Sequence, residues 1–138
     1  MSRRAVVDTG PLVAIVRDQE EHHARCVATL KELRSPLLTC WPVITEVAWL
    51  LRREPTAMTV IEGLFSSGAV RLVELDAEAL SWAVSFLGRY ATLGAQLADA
   101  ALMFIAEREG IETVFTLDRR DFSVYRTSDG RALTVLPD

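Results

Sequence analysis

The sequence predicts an α/β domain with a mainly parallel central sheet flanked by helices, on three observations. Short apolar runs suited to buried strands alternate with stretches of helical periodicity from end to end. The 138 residues suffice for one domain with a real core and are too few for two ordinary ones. No linker, repeat or low-complexity stretch divides them, so residues 1–138 are expected to form a single domain.

Taken in order, Val6 and Val7 end a short apolar run that reads as a buried strand closing on Asp8. Thr9 is a plausible helix N-cap and Pro11 a first-turn residue, and the helix then carries Leu12, Val13, Ile15 and Val16. Residues 20–33 place Val27, Leu30 and Leu33 on one face of a second helix, which Ser35 and Pro36 break. Residues 37–40 suit a second strand. Trp41 and Pro42 open a helix expected to run to about Arg53, and Glu54-Pro55-Thr56 interrupts the chain before a short helix over 57–65. Residues 70–75 alternate as a strand, and Asp76 caps a helix reaching about Tyr90. After a turn at 92–94, the strongest helix of the chain spans 95–109 and stops at Gly110. Residues 113–117 form a strand, and 133–136 a last, edge strand. In a parallel sheet, ligands gather beyond the carboxyl ends of the strands, so Asp8 and Asp118 are expected at the same edge.

Composition excludes several activities. Half the residues are hydrophobic and a quarter charged, as in soluble globular proteins. No apolar run reaches the ~18–20 residues that span a bilayer, and Asp8, Gly10 and Pro11 spoil the N-terminal stretch as a signal peptide, so a cytoplasmic protein is expected. Cys26 and Cys40 lack metal or redox spacing and read as small buried thiols. A net charge of −4 argues against a passive nucleic-acid binder. Lys31 is the only lysine beside fourteen arginines, and neither a phosphate-binding GxxxxGK[ST] loop nor a GxGxxG fingerprint is present. His22 and His23 lie in a polar stretch without zinc-ligand spacing, and no GxSxG supports a serine nucleophile. The Asp8-Thr9-Gly10 triplet also occurs in aspartic proteases, but those need two such loops in a β-rich fold, and here the triplet opens a helix.

What remains are four acids set among residues that belong in a core: Asp8, Glu46, Asp99 and Asp118. Each alone has an ordinary explanation. Asp8 suits a helix cap, Glu46 a partner for Arg53, Asp99 the favourable amino end of a helix, and Asp118 a turn. Together they conflict with burial, because an unpaired carboxylate costs several kcal/mol to bury and few cations lie in these segments. A shared divalent ion would resolve the conflict. Oxygen-only donors suit Mg²⁺ or Mn²⁺, which neutralise phosphate charge and activate water, so phosphodiester hydrolysis is the natural reaction.

The segments VVDTGPLVAIV, VITEVAWLL, LADAALMFIAEREG and VFTLDRRDFSVYR resemble the PIN domain, and within it the VapC-type toxins of bacterial toxin–antitoxin pairs. The resemblance spans residue 5 to about 126. It implies a single PIN domain whose four acids are Asp8, Glu46, Asp99 and Asp118, with Asp121 able to replace or support Asp118. Thr9 and Thr116 match hydroxyl positions that hold the carboxylates. The implied activity is a metal-dependent endoribonuclease in which Asp8, Asp99 and Asp118 bind Mg²⁺ (or Mn²⁺) and Glu46 assists the attacking water. A cognate antitoxin and a homodimer are implied as well. Trp41, Trp49 and Trp82 are candidate interface anchors, with core packing expected for at least two of them. Arg119 and Arg120 are candidate RNA contacts or a solvated turn, and Arg17, Arg52 and Arg53 share that ambiguity. The rival readings are a non-catalytic PIN-like module that binds protein or RNA, and a housekeeping RNA-processing nuclease.

Overall fold

The structure is a computed structural model that describes residues 2–138. Five strands, β1 (Val6–Val7), β2 (Leu37–Thr39), β3 (Val70–Leu72), β4 (Thr113–Phe115) and β5 (Thr134–Leu136), form one sheet in the order β3-β2-β1-β4-β5. Every pairing is parallel, with Val6 opposite both Leu38 and Val114. The chain builds outward from β1 through β2 to β3, then returns to the other side of β1 for β4 and β5. The winding therefore reverses between β1 and β4, and a crevice opens beyond their carboxyl ends.

Among the described residues seven α-helices cover the sheet: α1 (Thr9–Val16), α2 (His23–Glu32), α3 (Trp41–Leu50), α4 (Pro55–Ser66), α5 (Ala77–Arg89), α6 (Leu97–Glu109) and α7 (Arg119–Val124). The inner strands β1, β2 and β4 are buried at every position, which matches their unbroken apolar runs. Helix α6 buries Ala98 and every residue from Ala100 to Ala106, so it is apolar all round and packs inside the molecule against α3, α5 and β1. Its ends are well specified. Gln96 and Asp99 form a reciprocal capping box, and Gly110 takes a left-handed conformation (φ +69°) that terminates it. Asp76 caps α5 by accepting from the N–H groups of Glu78 (3.0 Å) and Ala79 (3.3 Å).

Several boundaries differ from the sequence-based expectation. Asp8, not Thr9, occupies the N-cap of α1, and Thr9 is its first residue. Helix α2 begins at His23 because residues 17–22 form turns, held by Glu20 N–H to the Arg17 carbonyl (3.0 Å) and His23 Nδ1–H to the Ala14 carbonyl (2.7 Å). Helix α3 stops at Leu50, short of Arg53. Arg17 reaches across from the end of α1 to the Leu50 carbonyl (3.0 Å) and to the Glu54 carboxylate, and Pro55 restricts the residue before it and starts α4. Strand β3 ends at Leu72, and α6 starts at Leu97 since Gln96 is its cap. Helix α7 forms where a solvated turn is one of the two sequence readings of Arg119 and Arg120. Its side of the chain is held by Phe122 and Tyr125, both fully buried and in edge contact (ring centroids 5.1 Å apart).

The tryptophans also depart from expectation. Trp82 alone packs, stacking on Phe86 (5.5 Å) and meeting Phe104 edge-on. Trp41 and Trp49 are 66% and 63% exposed, so core packing does not account for two of the three. Their helix α3 turns Val43, Ile44 and Val47 inward, which leaves positions 41 and 49 on the outer face. Cys26 and Cys40 are buried and free, with burial pushing both thiols up to about 11.

Phe122→Ala is expected to destabilise the protein by about 3–5 kcal/mol, because it leaves a cavity where α7 is pinned to the core. Urea unfolding monitored by circular dichroism measures this as a lower midpoint with an unchanged slope.

Candidate active site

The crevice at the winding reversal is lined by Asp8, Glu46, Asp99, Asp118 and Asp121, together with Thr9 and Thr116, in a cleft of about 500 Å³. The topology explains their convergence. Asp8 follows β1 directly, and its N–H donates to the Phe115 carbonyl at the end of β4 (2.9 Å), which ties the two strand ends together. Thr116 follows β4, with its own N–H held by the Leu136 carbonyl of β5 (2.9 Å). Glu46 comes from α3 and Asp99 from the first turn of α6. Asp118 and Asp121 come from the amino end of α7. The start of α1 and the loop after β4 approach so closely that a Cβ on Gly10 would stand 3.2 Å from the Leu117 side chain, so glycine lets these two walls meet.

Four of the five acids are held by neutral donors. The Thr116 hydroxyl donates to Oδ2 of Asp8 (2.8 Å) and accepts from the Asp118 N–H (3.0 Å). The Thr9 hydroxyl donates to Oε2 of Glu46 (3.4 Å). Asp118 caps α7, with Oδ1 accepting from the Asp121 N–H (3.2 Å). Oδ2 of Asp99 accepts from the Tyr125 hydroxyl (2.7 Å) and from the Gln96 N–H (3.4 Å). In Glu46, Asp99 and Asp118 the hydrogen bonds fall on one carboxylate oxygen and leave the other free. Among the described residues no fully buried side-chain oxygen or nitrogen lacks a partner, so these second oxygens open into the cleft.

No arginine forms an ion pair with any of the five acids among the described residues. Glu46 does not pair with Arg53, since α3 ends first. The electrostatic result is uniform. Burial pushes Asp8 up to about 6; the Thr9 backbone and the Thr116 hydroxyl oppose this, while Asp99 and Glu46 add to it. Burial also raises Glu46, Asp99 and Asp118, with further upward pressure from neighbouring acids in each case.

Carboxylate oxygens of Asp99, Asp118 and Asp121 lie within 4.8 Å of one another. Opposite oxygen ligands of a six-coordinate Mg²⁺ stand roughly 4.2 Å apart, so small side-chain rotations would close these three on one ion. The donor set is all oxygen and negatively charged, which fits a hard divalent cation. Asp8 and Glu46 line the same cleft outside this closest group. Asp121, which the sequence allows to replace or support Asp118, stands in this closest group beside it.

The arginines divide. Arg119 donates to the carbonyls of Val135 (3.2 Å) and Pro137 (2.7 Å), tying the start of α7 to the C-terminal strand while the residue itself stays exposed. Arg120 has no side-chain partner among the described residues and is exposed. Arg17 is bound to Glu54, and Arg52 lies 3.9 Å over the Trp49 ring. The sequence reading missed Tyr125. The only signal was its spacing from Phe122, three residues on, which marks one face of a short helix.

A raised carboxyl pKa means that the folded protein binds a proton more tightly than the unfolded chain. The contribution of Asp8 to stability therefore falls as pH rises from about 4 to about 6, and above that a penalty of about 3 kcal/mol is fully present. In metal-free protein, Asp8→Asn is expected to raise stability toward that amount at pH 7.5 and to change it little at pH 4, as urea unfolding at the two pH values would measure. Added Mn²⁺ should stabilise the wild type more at pH 7.5 than at pH 5, because protons and the cation compete for the same oxygens.

Comparison with known proteins agrees with this geometry. The chain matches the PIN domain over residues 5–127. Ribonuclease VapC26 of Mycobacterium tuberculosis is 28% identical over 135 residues, covering 96% of this chain and 99% of that protein. The crystal structure of Mycobacterium tuberculosis VapC20, a toxin described as cleaving the sarcin–ricin loop, superposes with a TM-score of 0.75 at 19% identity. The superposition covers 84% of this chain and 91% of VapC20, and it speaks for the shared fold. With the strand order, the acid-lined crevice and a match over most of its length in agreement, the chain belongs to the PIN domain family.

Proposed function

We propose that this protein is a VapC-type toxin: a metal-dependent endoribonuclease, paired with a cognate antitoxin, whose single PIN domain occupies residues 1–138. The observation that carries this reading is the gathering of five acids in one crevice with no arginine paired to any of them among the described residues. Such a group suits a hard cation and, through it, a phosphodiester. The 28% identity to a ribonuclease across nearly the whole chain supports the same reading.

Asp8, Asp99 and Asp118 would hold Mg²⁺ or Mn²⁺, with Asp121 beside them. When bound, the ion supplies charge neutralisation for the phosphate and a water acidic enough to attack it. The chain's own residues do the rest. Glu46 is held through Oε2, and its free oxygen is available to take a proton from the attacking water. Its raised pKa brings it closer to the range useful for a general base. The water oxygen would bond to phosphorus as the bond to the 3′ oxygen breaks and that oxygen takes a proton from solvent, leaving a 5′-phosphate and a 3′-hydroxyl. Arg120, exposed and without a side-chain partner among the described residues, would meet an RNA phosphate near Asp118.

Two surfaces suit protein partners. An apolar groove of about 260 Å³ runs between α3, α5 and α6, with Trp41, Leu80 and Leu97 exposed along it. Trp49 and Leu50 form a second apolar spot beside the crevice. We assign these to the homodimer and antitoxin contacts of the toxin reading. Among the described residues no helix is long and apolar enough to cross a membrane, in keeping with a cytoplasmic site of action.

Purified protein is expected to cleave RNA in the presence of Mn²⁺, leaving 5′-phosphate ends, and to lose activity with EDTA. Asp8→Asn and Asp99→Asn should each lower cleavage by at least about a hundredfold while the fold persists. Sequencing of RNA ends after induced expression, with the Asp8→Asn protein as control, reads out the result. Cleavage that survives both chelation and substitution would refute the proposal.

A further inference from the structure

We propose that Tyr125 is a positioning residue of the crevice: its hydroxyl, by donating to Oδ2 of Asp99, sets that carboxylate so that Oδ1 is the oxygen left to meet the cation. The inference rests on the metal reading above and extends it to a residue which that reading does not use.

The geometry around Tyr125 is restrictive. Its side chain is fully buried, and its ring lies against Phe86 (4.9 Å between centroids), Tyr90 (5.0 Å) and Phe122 (5.1 Å). A phenol with few rotatable bonds in such a cage holds its hydroxyl in one place. The 2.7 Å hydrogen bond to Asp99 is among the shortest formed by any acid of the crevice, and the second donor to the same oxygen, the Gln96 N–H, is weaker at 3.4 Å. Asp99 needs this restraint, because Asp118 and Asp121 repel it electrostatically and could turn it out of register when no cation is present.

Tyr125 also joins two elements. It is the residue that ends α7, whose N-cap is Asp118 and whose first turn holds Asp121. One short helix therefore presents two acids to Asp99 at its start and a donor to Asp99 at its end. The hydrogen bond fixes α7 relative to α6 and, with it, the spacing of the three carboxylates. Tyr90 makes a useful contrast. It belongs to the same aromatic cage, but its hydroxyl accepts from the Arg126 N–H (3.0 Å) and bonds no acid among the described residues.

Calorimetric titration of Mn²⁺ into wild type, Tyr125→Phe and Tyr90→Phe tests the proposal. Tyr125→Phe retains the ring and should unfold at nearly the wild-type midpoint, yet bind Mn²⁺ about 10- to 100-fold more weakly. On RNA it should lower kcat and leave KM unchanged. Tyr90→Phe should bind Mn²⁺ as the wild type does. Equal Mn²⁺ affinity in wild type and Tyr125→Phe would overturn the positioning role while leaving the metal reading intact. A wild-type protein that binds no Mn²⁺ would overturn both. A loss of affinity in Tyr90→Phe as large as that in Tyr125→Phe would assign the effect to the cage rather than the hydroxyl, and would overturn the proposal as well.

Discussion

The repulsion among acids gathered at the reversal between β1 and β4 is the constraint to which the rest of the structure answers. Asp8, Glu46, Asp99, Asp118 and Asp121 line one crevice, and four of them have their pKa values raised first by burial. Left alone, such a group would push its walls apart or take up protons. The protein resists by making the walls stiff. Asp8 is clamped by its backbone to Phe115, and α6 is apolar on all sides and sunk in the core. The Arg17–Glu54 pair fixes the end of α1 against the turn that follows α3.

A second device is the use of neutral donors in place of cations. Thr116, Thr9, Tyr125 and the Asp121 N–H each bond one oxygen of a carboxylate. An arginine would also have neutralised the acid, removing its pull on a metal ion. A hydroxyl or amide orients the group and leaves its charge in place. Three of the arginines nearby are engaged elsewhere, Arg17 on Glu54, Arg119 on carbonyls at the last strand and Arg52 on the Trp49 ring, while Arg120 stays in solvent without a side-chain partner among the described residues. The site thus stores electrostatic tension that a hard cation would release, and stability and chemistry come to depend on the same oxygens.

The outer surface reflects a different demand. Trp41 and Trp49 remain exposed because the inward positions of α3 are filled by Val43, Ile44 and Val47. Large aromatic rings left in water on a chain of this size suit contact with another protein surface, and they lie on the helix that also carries Glu46. A partner seated there would sit next to the crevice.

Much of this was legible in the residues alone. Unbroken apolar runs announced the buried strands, alternation with helical segments announced a parallel sheet, and acids placed inside those runs announced a cost that had to be met by pairing or by metal. Helix ends were legible where a side chain or glycine sets them locally, as at Asp76 and Gly110. They were not legible where a distant group decides them: α3 stops at Leu50 because Arg17 and Glu54, 37 residues apart, meet there. Helix α7 escaped notice because its six residues draw their stability from burying Phe122 and Tyr125, not from propensity. The sequence by itself determined which residues could carry the chemistry, since periodicity and polarity are local properties of the chain. Only the tertiary structure decided that Asp121 stands with Asp99 and Asp118, that Tyr125 bonds Asp99 across 26 positions, and that Arg119 serves the sheet edge. Those contacts are made between elements far apart in the chain, and their spacing follows from how the helices pack on the sheet.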